Sequence, residues 1–190
     1  MSELHNRTLD YFNGESKYHH QKFHIENPNN QKDLEDLVLP LLGEITHPLL
    51  EVGCGVGDSG LLYSPDFAVD FSSSMVEEAK KLLVNTEFKV ANATDLPFDN
   101  NSFSTVVSVA MLQHTLDPSM AVSEMVRVAK DKVIIVTNHV EQYITVETPF
   151  MVHHFSEESL NEIIGKNIME CYSVSISIMQ DKFSIIRIEK

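Results

Sequence analysis

Three glycines at alternating positions, Gly53, Gly55 and Gly57, stand where an apolar segment ends, in the stretch LEVGCGVGDSG (50–60). Glycines there let the backbone turn sharply off a strand and bring N–H groups against a ligand, where a Cβ would collide. From Gly55 to Gly60 the same stretch also reads as G-x-G-x-x-G, so the glycines alone allow a nicotinamide dinucleotide, a flavin or an adenosyl compound. Two acids narrow the choice. A dinucleotide loop sets its pyrophosphate on a helix N-terminus and keeps an acid about 20 positions further on for the ribose. Asp70, the acid closing the next strand-like segment, follows Gly55 sooner than that. Glu51, just ahead of the first glycine, would repel a pyrophosphate, but it suits a cationic ligand or the ordering of the loop.

Alternating elements must hold these residues. Five strand-like segments, PLLEVG (48–53), FAVDF (67–71), EFKVA (87–91), FSTVVSVAM (103–111) and KVIIVT (132–137), are short and mostly apolar, as parallel strands covered on both faces are. Between them, Met75, Ala79, Leu82 and Leu83 mark one helical face, and Ala121, Met125, Val128 and Ala129 another behind the Asp117-Pro118 cap. Met75, Met120 and Met125 follow helical spacing and are expected in the core. Glu124 and Arg127 read as a surface pair on the scaffold. This order predicts right-handed crossovers and a parallel α/β sheet. Leu34, Leu37, Val38, Leu41 and Leu42 predict a helix stopping near Gly43. The tail predicts a helix capped by Ser156 and stopped by Gly165, then an antiparallel hairpin of IMECYSVSISIM and KFSIIRIEK turning near Gln180-Asp181. Residues 1–30 read as a loop-rich arm or cap, and residues 31–190 as one domain.

Four stretches in order, LLEVGCGVG, AVDFSSSMVEEAKKL, VANATDLPFDNNSFSTVVSVAMLQHTLDP and SEMVRVAK, resemble the class I S-adenosylmethionine-dependent methyltransferases. The likeness covers about residues 45 to 140 and is nearest the small-molecule branch that includes the quinone-biosynthesis C-methyltransferases. It implies a doubly wound Rossmann-like α/β sheet of order 3-2-1-4-5-7-6 with the last strand antiparallel, in a single domain. It further implies S-adenosylmethionine as cofactor, S-adenosylhomocysteine as product and a small molecule as methyl acceptor, with a non-catalytic cofactor-binding subunit as the alternative. Glu51, Gly53, Gly55 and Gly57 would hold the methionine end, and Asp70 the ribose hydroxyls. Phe71 or Met75 would lie on the adenine face, Asn92 and Ala93 would recognise adenine, and Val109, Ala110 and Met111 would line the cofactor near its methyl. Gly60 is left as incidental. The chain departs from the family in a shorter stretch between Gly57 and Asp70, in Ser104 at the start of the fourth strand, in VAKDKVIIV without Pro-Gly-Gly, and in a short segment after the fifth strand.

Methyl transfer needs a base only if the acceptor must lose a proton. His114 in MLQHTLDP, at the open end of the sheet, is one candidate. Tyr18 and His20, with Tyr11, His19 and His24 on the arm, are others. His153 and His154 are expected in an exposed turn, and no metal site is expected. Acidic residues number 28 against 14 basic, a formal charge of −14, which disfavours a nucleic-acid partner. No basic leader or membrane-length apolar run is visible, so a cytoplasmic monomer or homodimer is expected. Cys54 and Cys171 are expected as reduced, mostly buried thiols.

Overall fold

The computed structural model describes residues 3–20, 39–147, 151–179 and 182–190, without the side chains of residues 17–20 and 41. Seven strands form one sheet: β1 Leu49–Val52, β2 Phe67–Asp70, β3 Glu87–Val90, β4 Phe103–Val109, β5 Ala129–Asn138, β8 Ser173–Met179 and β9 Phe183–Glu189. Their spatial order is β3-β2-β1-β4-β5-β9-β8. The first five run parallel, and β9 is antiparallel to both β5 and β8. A two-stranded hairpin, β6 Ile144–Val146 with β7 Val152–His154, is inserted before the tail. Discounting it, β8 and β9 are the sixth and seventh strands, so the order is the 3-2-1-4-5-7-6 of the resemblance.

Period-two alternation divides the core. Leu50 and Val52 on β1, Val106 on β4, Val133 and Ile135 on β5, and Ile186 and Ile188 on β9 face α5 Pro118–Val128 and α6 Glu157–Ile164. On the other face Leu49, Val107, Ile134, Val136 and Ile185 pack with Leu42 and Tyr63. Glu51 shares the parity of Leu49, and its carboxylate therefore belongs to this second face.

The helices start where their caps dictate. Ser72 accepts from the Met75 amide at the start of α4 Ser73–Leu82, and Asp117 accepts from the Met120 amide ahead of Pro118. Ser156 and Ser159 form a reciprocal capping box on α6. Arg127 holds Glu124 at 2.7 Å and donates to the Leu96 and Phe98 carbonyls, tying the loop before β4 to α5. The first crossover helix, α3 Gly60–Tyr63, has four residues, as the short stretch after Gly57 requires.

Three expectations need correction. Residues 3–20 are not loop but one helix, α1 Glu3–His20, whose inward residues find their partners only in the rest of the fold. Ile168–Cys171, expected as the start of a strand, belong instead to a short helix, α7 Lys166–Cys171, that continues from Gly165. Cys54 is buried as expected, whereas Cys171 at the end of α7 is exposed. Of the helix expected from Leu34, only α2 Leu39–Leu42 is described. Leu34, Leu37 and Val38 lie outside the described residues, as do Gln180, Asp181 and His24.

Candidate functional site

The glycine loop leaves β1 with Gly53, Gly55 and Gly57 at φ of 78°, 52° and 91°, values that glycine adopts at least cost. A Cβ on Gly53 would stand 2.1 Å from Met111 Cγ, so the loop passes directly under the end of β4. A Cβ on Gly57 would stand 3.2 Å from that of Ala79, which makes Gly57 a packing contact with α4. Gly60 is not incidental: a Cβ there would lie 2.5 Å from Leu83 Cδ1 and 2.9 Å from Glu51 Oε2.

Asp70 secures the loop from the tip of β2. Its Oδ2 accepts from the Gly55 amide and its Oδ1 from the Ser72 amide, both at 2.9 Å. Burial pushes its carboxyl up to about 6, against the pull of these backbone donors. Glu51 is wholly buried and faces α3. Ser59 Oγ and Tyr63 Oη each donate to its Oε1 at 2.5 Å, while Oε2 has no hydrogen-bond partner among the described residues. Burial raises its carboxyl to about 7, opposed by the two hydroxyls and reinforced by the nearby Asp70 and Asp58.

Two adjoining cavities open at the carboxyl ends of the strands, where open α/β sheets hold ligands. The first, about 370 Å³, is walled by Asp70, Phe71, Asn92, Ala93 and Met120, with His5 and Thr8 of α1 closing it. The second, about 260 Å³, runs from Gly53, Gly55 and Asp58 past Met75, Val109 and Ala110 to Gln113, Thr137 and Phe183, with Phe12 of α1 above it. Gly53, Asp70, Phe71, Met111 and His114 border both. Together they suit a nucleoside with a further substituent. Ala110 holds a positive φ of 55° at the wall, a conformation non-glycine residues keep where the surroundings enforce it. Helix α1 is fixed over the cavities by Ser72 Oγ donating to Asn13 Oδ1 at 2.7 Å, and by edge contacts of Phe12 with Phe71 and His114.

Most residues singled out in the sequence thus converge. Gly53, Gly55, Asp70, Phe71, Met75, Asn92, Ala93, Val109, Ala110, Met111 and His114 all line the cavities. Glu51 and Gly57 do not; they brace the loop from behind. Met120, expected in the core, is 48% exposed and forms part of the first cavity's rim. Tyr18 and His20 lie on the last turn of α1 with their side chains, like that of His19, outside the description. Tyr11 packs edge-on against Phe12. His153 is not in an exposed turn: it is buried on β7, with Nε2 on the Thr115 carbonyl at 2.9 Å and Nδ1 on Tyr143 Oη at 2.8 Å. Burial lowers its pKa.

Sequence reading missed His5, Thr8, Phe12, Asp58, Gln113, Thr137 and Phe183. Asp58 and Gln113 adjoin recognised motifs and were within reach; the arm residues and Phe183 are joined to the site only by tertiary folding. Among the described residues no group of three or more His, Cys, Asp or Glu is placed to hold a metal ion, and no helix is long and apolar enough to cross a membrane.

Residues 50–137 match the family model described as a methyltransferase domain. Over 100 residues the chain is 34% identical to a demethylmenaquinone methyltransferase of Clavibacter sepedonicus, covering 49% of this chain and 40% of that protein. It is 31% identical over 134 residues to an uncharacterized methyltransferase, YcgJ, of Bacillus subtilis, covering 61% of this chain and 53% of that one. The chain thus spans about half the length, or less, of these relatives. The structure of a DhpI–SAH complex shares the fold, with a TM-score of 0.74 at 19% identity over 100% of this chain and 98% of that one. The segment that carries the glycine loop and the strand tips, residues 50–137, thus matches the methyltransferase-domain family and is similar to class I S-adenosylmethionine-dependent methyltransferases.

Proposed function

We propose that the chain binds S-adenosylmethionine across the two cavities and transfers its methyl group to a small-molecule acceptor. The observation that carries this reading is Asp70, which spans the boundary between the cavities with a buried carboxylate while its backbone donors hold the glycine loop open. The residues fit the cofactor. Asp70 offers acceptor capacity to two ribose hydroxyls, Phe71 and Met111 offer apolar faces to the adenine, and Asn92 and Ala93 stand at its edge. The loop from Gly53 to Gly55 leaves room for the methionine end, which a side chain at Gly53 would remove. Asp58, rather than Glu51, is the acid lining that end, and its charge suits an ammonium.

The cofactor supplies an electrophilic methyl on sulfur, ready for in-line displacement. The chain's own part is then positioning: aligning acceptor and methyl is worth about 7 kcal/mol or more in well-built sites. Phe12 and α1 cover the cavities and exclude water. His114, with Nδ1 at 3.1 Å from the Met151 carbonyl, is held at the boundary between the two cavities, within reach of an acceptor that must lose a proton. The second cavity extends beyond the glycine loop to Phe183, and room of that kind supports an enzyme over a non-catalytic subunit.

Titration of the purified chain with S-adenosylhomocysteine, followed by calorimetry, is expected to give saturable binding. Absence of binding at millimolar ligand would overturn the proposal. Radiolabelled donor offered with a metabolite extract then asks for a labelled small-molecule product.

A further inference from the structure

The far end of the second cavity is unlike its glycine end. Its walls are Phe12, Val109, Val136 and Phe183, with Gln113, Thr137 and Asn138 as the polar side chains among them. Thr137 is buried on β5 and its Oγ1 donates to Gln113 Oε1 at 3.0 Å. With the threonine hydroxyl on the carboxamide oxygen, the amide's NH₂ end is the one left for another partner. The carbonyl end of Gln113 is turned to β5, and its NH₂ end is the one offered along the cavity wall. Asn138 next to it contributes nothing comparable. Its Nδ2 donates to the His153 carbonyl at 2.8 Å, and its Oδ1 accepts from the Phe155 amide at 3.3 Å, so its two ends clamp β7 and the residue that follows it.

Building on the donor reading above, we infer that Gln113 is the acceptor-orienting residue, and that it selects an uncharged acceptor bearing a hydroxyl group. Two observations join in this. The oriented amide presents N–H donors, which can pair with one lone pair of a hydroxyl oxygen and leave the other for the methyl, whereas an amine nitrogen has a single pair and cannot serve both. Among the described residues no lysine or arginine lines either cavity, and the acids there are Asp58, Asp70 and Asp117, so a phosphate or carboxylate on the acceptor would enter without a counter-charge. The apolar walls suit the remaining body of such a molecule. Gln113 acts by holding the hydroxyl oxygen in line with the methyl and takes no part in bond making: the O–C bond would form as the methyl–sulfur bond breaks, S-adenosylhomocysteine would leave, and the hydroxyl proton would pass to His114.

The test uses the full chain, radiolabelled S-adenosylmethionine and three sets of probes: phenol, catechol and hydroquinone; benzylamine and histamine; and benzoate. Label is expected on the hydroxylated probes. Gln113→Leu is expected to raise KM for the best of them about five- to tenfold, the worth of a lost hydrogen bond in a closed site. Thr137→Val, which frees the amide to turn, is expected to raise KM less, and Gln113→Glu to raise it at least as much as Gln113→Leu. All three variants should keep the wild-type affinity for S-adenosylhomocysteine, a readout that a merely structural role for Gln113 would also disturb. Preferred transfer to the amines or to benzoate, no transfer to any probe by wild type that binds S-adenosylhomocysteine, or an unchanged KM in Gln113→Leu would each overturn the inference. Wild type that does not bind S-adenosylhomocysteine would instead remove the donor reading and this inference with it.

Discussion

The tips of β1 and β2 lie side by side, and each carries one buried carboxylate whose pKa is raised. Glu51, paired in register with Ala68, is enclosed on the face of the sheet covered by α3; Asp70, two residues beyond Ala68 on β2, opens on both cavities. Their partners differ in kind. Asp70 is met by backbone N–H groups, which are fixed by the fold and leave its remaining lone pairs for a ligand. Glu51 is met by two side-chain hydroxyls on one oxygen, with the other oxygen pressed toward Gly60. A carboxylate at a strand tip serves a ligand only where strand parity and chain end together expose it. Otherwise it becomes a brace for the loop that does.

The sharpest way to break this comparison is to remove each acid in turn. Asp70→Ala is expected to weaken S-adenosylhomocysteine binding about tenfold to a hundredfold, since hydrogen bonds to a charged acceptor are worth about 1.5–3 kcal/mol and the Gly55 and Ser72 amides lose their partner as well. Glu51→Gln is expected to leave that affinity within about twofold, because a hydrogen bond of this kind outside the ligand contributes through the loop alone. Calorimetric titration of both variants decides it. A loss in Glu51→Gln as large as in Asp70→Ala would mean that Glu51 reaches the ligand after all.

How much of this was legible follows the same division. The sheet order and the lining residues from Gly53 to Met111 rest on local signals: apolar runs, glycines that need positive φ, and an acid ending a strand. The placement of Glu51 was legible too, since Leu49 and Glu51 share a face by period-two alternation. Proximity to the glycines concealed it. Met120 misled by helical spacing, because the periodicity of α5 does not say that its first turn meets a cavity. The arm was illegible for a different reason. Helix α1 has no strong apolar stripe of its own; Phe12 and Thr8 are turned inward by Phe71, His114 and the Met151 amide, and none of these pairings leaves a mark in sequence spacing. Phe183 reaches the site only because β9 inserts between β5 and β8.

A second consequence of the comparison appears in stability. Because burial raises the Glu51 carboxyl from 4.5 to about 7, the folded chain holds more protons than the unfolded chain between those values. Stability linked to Glu51 is therefore present in full below about pH 4.5 and is lost as pH rises to about 7. Glu51→Gln keeps an oxygen for Ser59 and Tyr63 and carries no charge to desolvate. It is expected to be more stable than wild type at pH 8 by on the order of 1 kcal/mol, with the difference closing toward pH 5. Urea denaturation at the two pH values measures this, and a variant less stable at pH 8 would show that the charge on Glu51 supports the loop.

The smallest effect belongs to Asp70 and has the opposite dependence, in binding rather than in folding. Its carboxyl, raised to about 6 in the free chain, would have to be ionised to accept from both ribose hydroxyls as proposed, so the ligand would compete with a proton. With the bound-state value well below 6, the affinity for S-adenosylhomocysteine is nearly constant above pH 7 and about fourfold weaker at pH 5.5, a cost of about 0.8 kcal/mol. The ligand's carboxylate and ammonium keep their charge states across that interval, and adenine remains neutral, so the protein supplies the titration. Asp70→Asn, which has no proton to gain there, should bind weakly with no such slope. If its affinity fell with pH as the wild type's does, the titrating group would lie elsewhere, with His114 at the shared wall of the two cavities the next residue to replace.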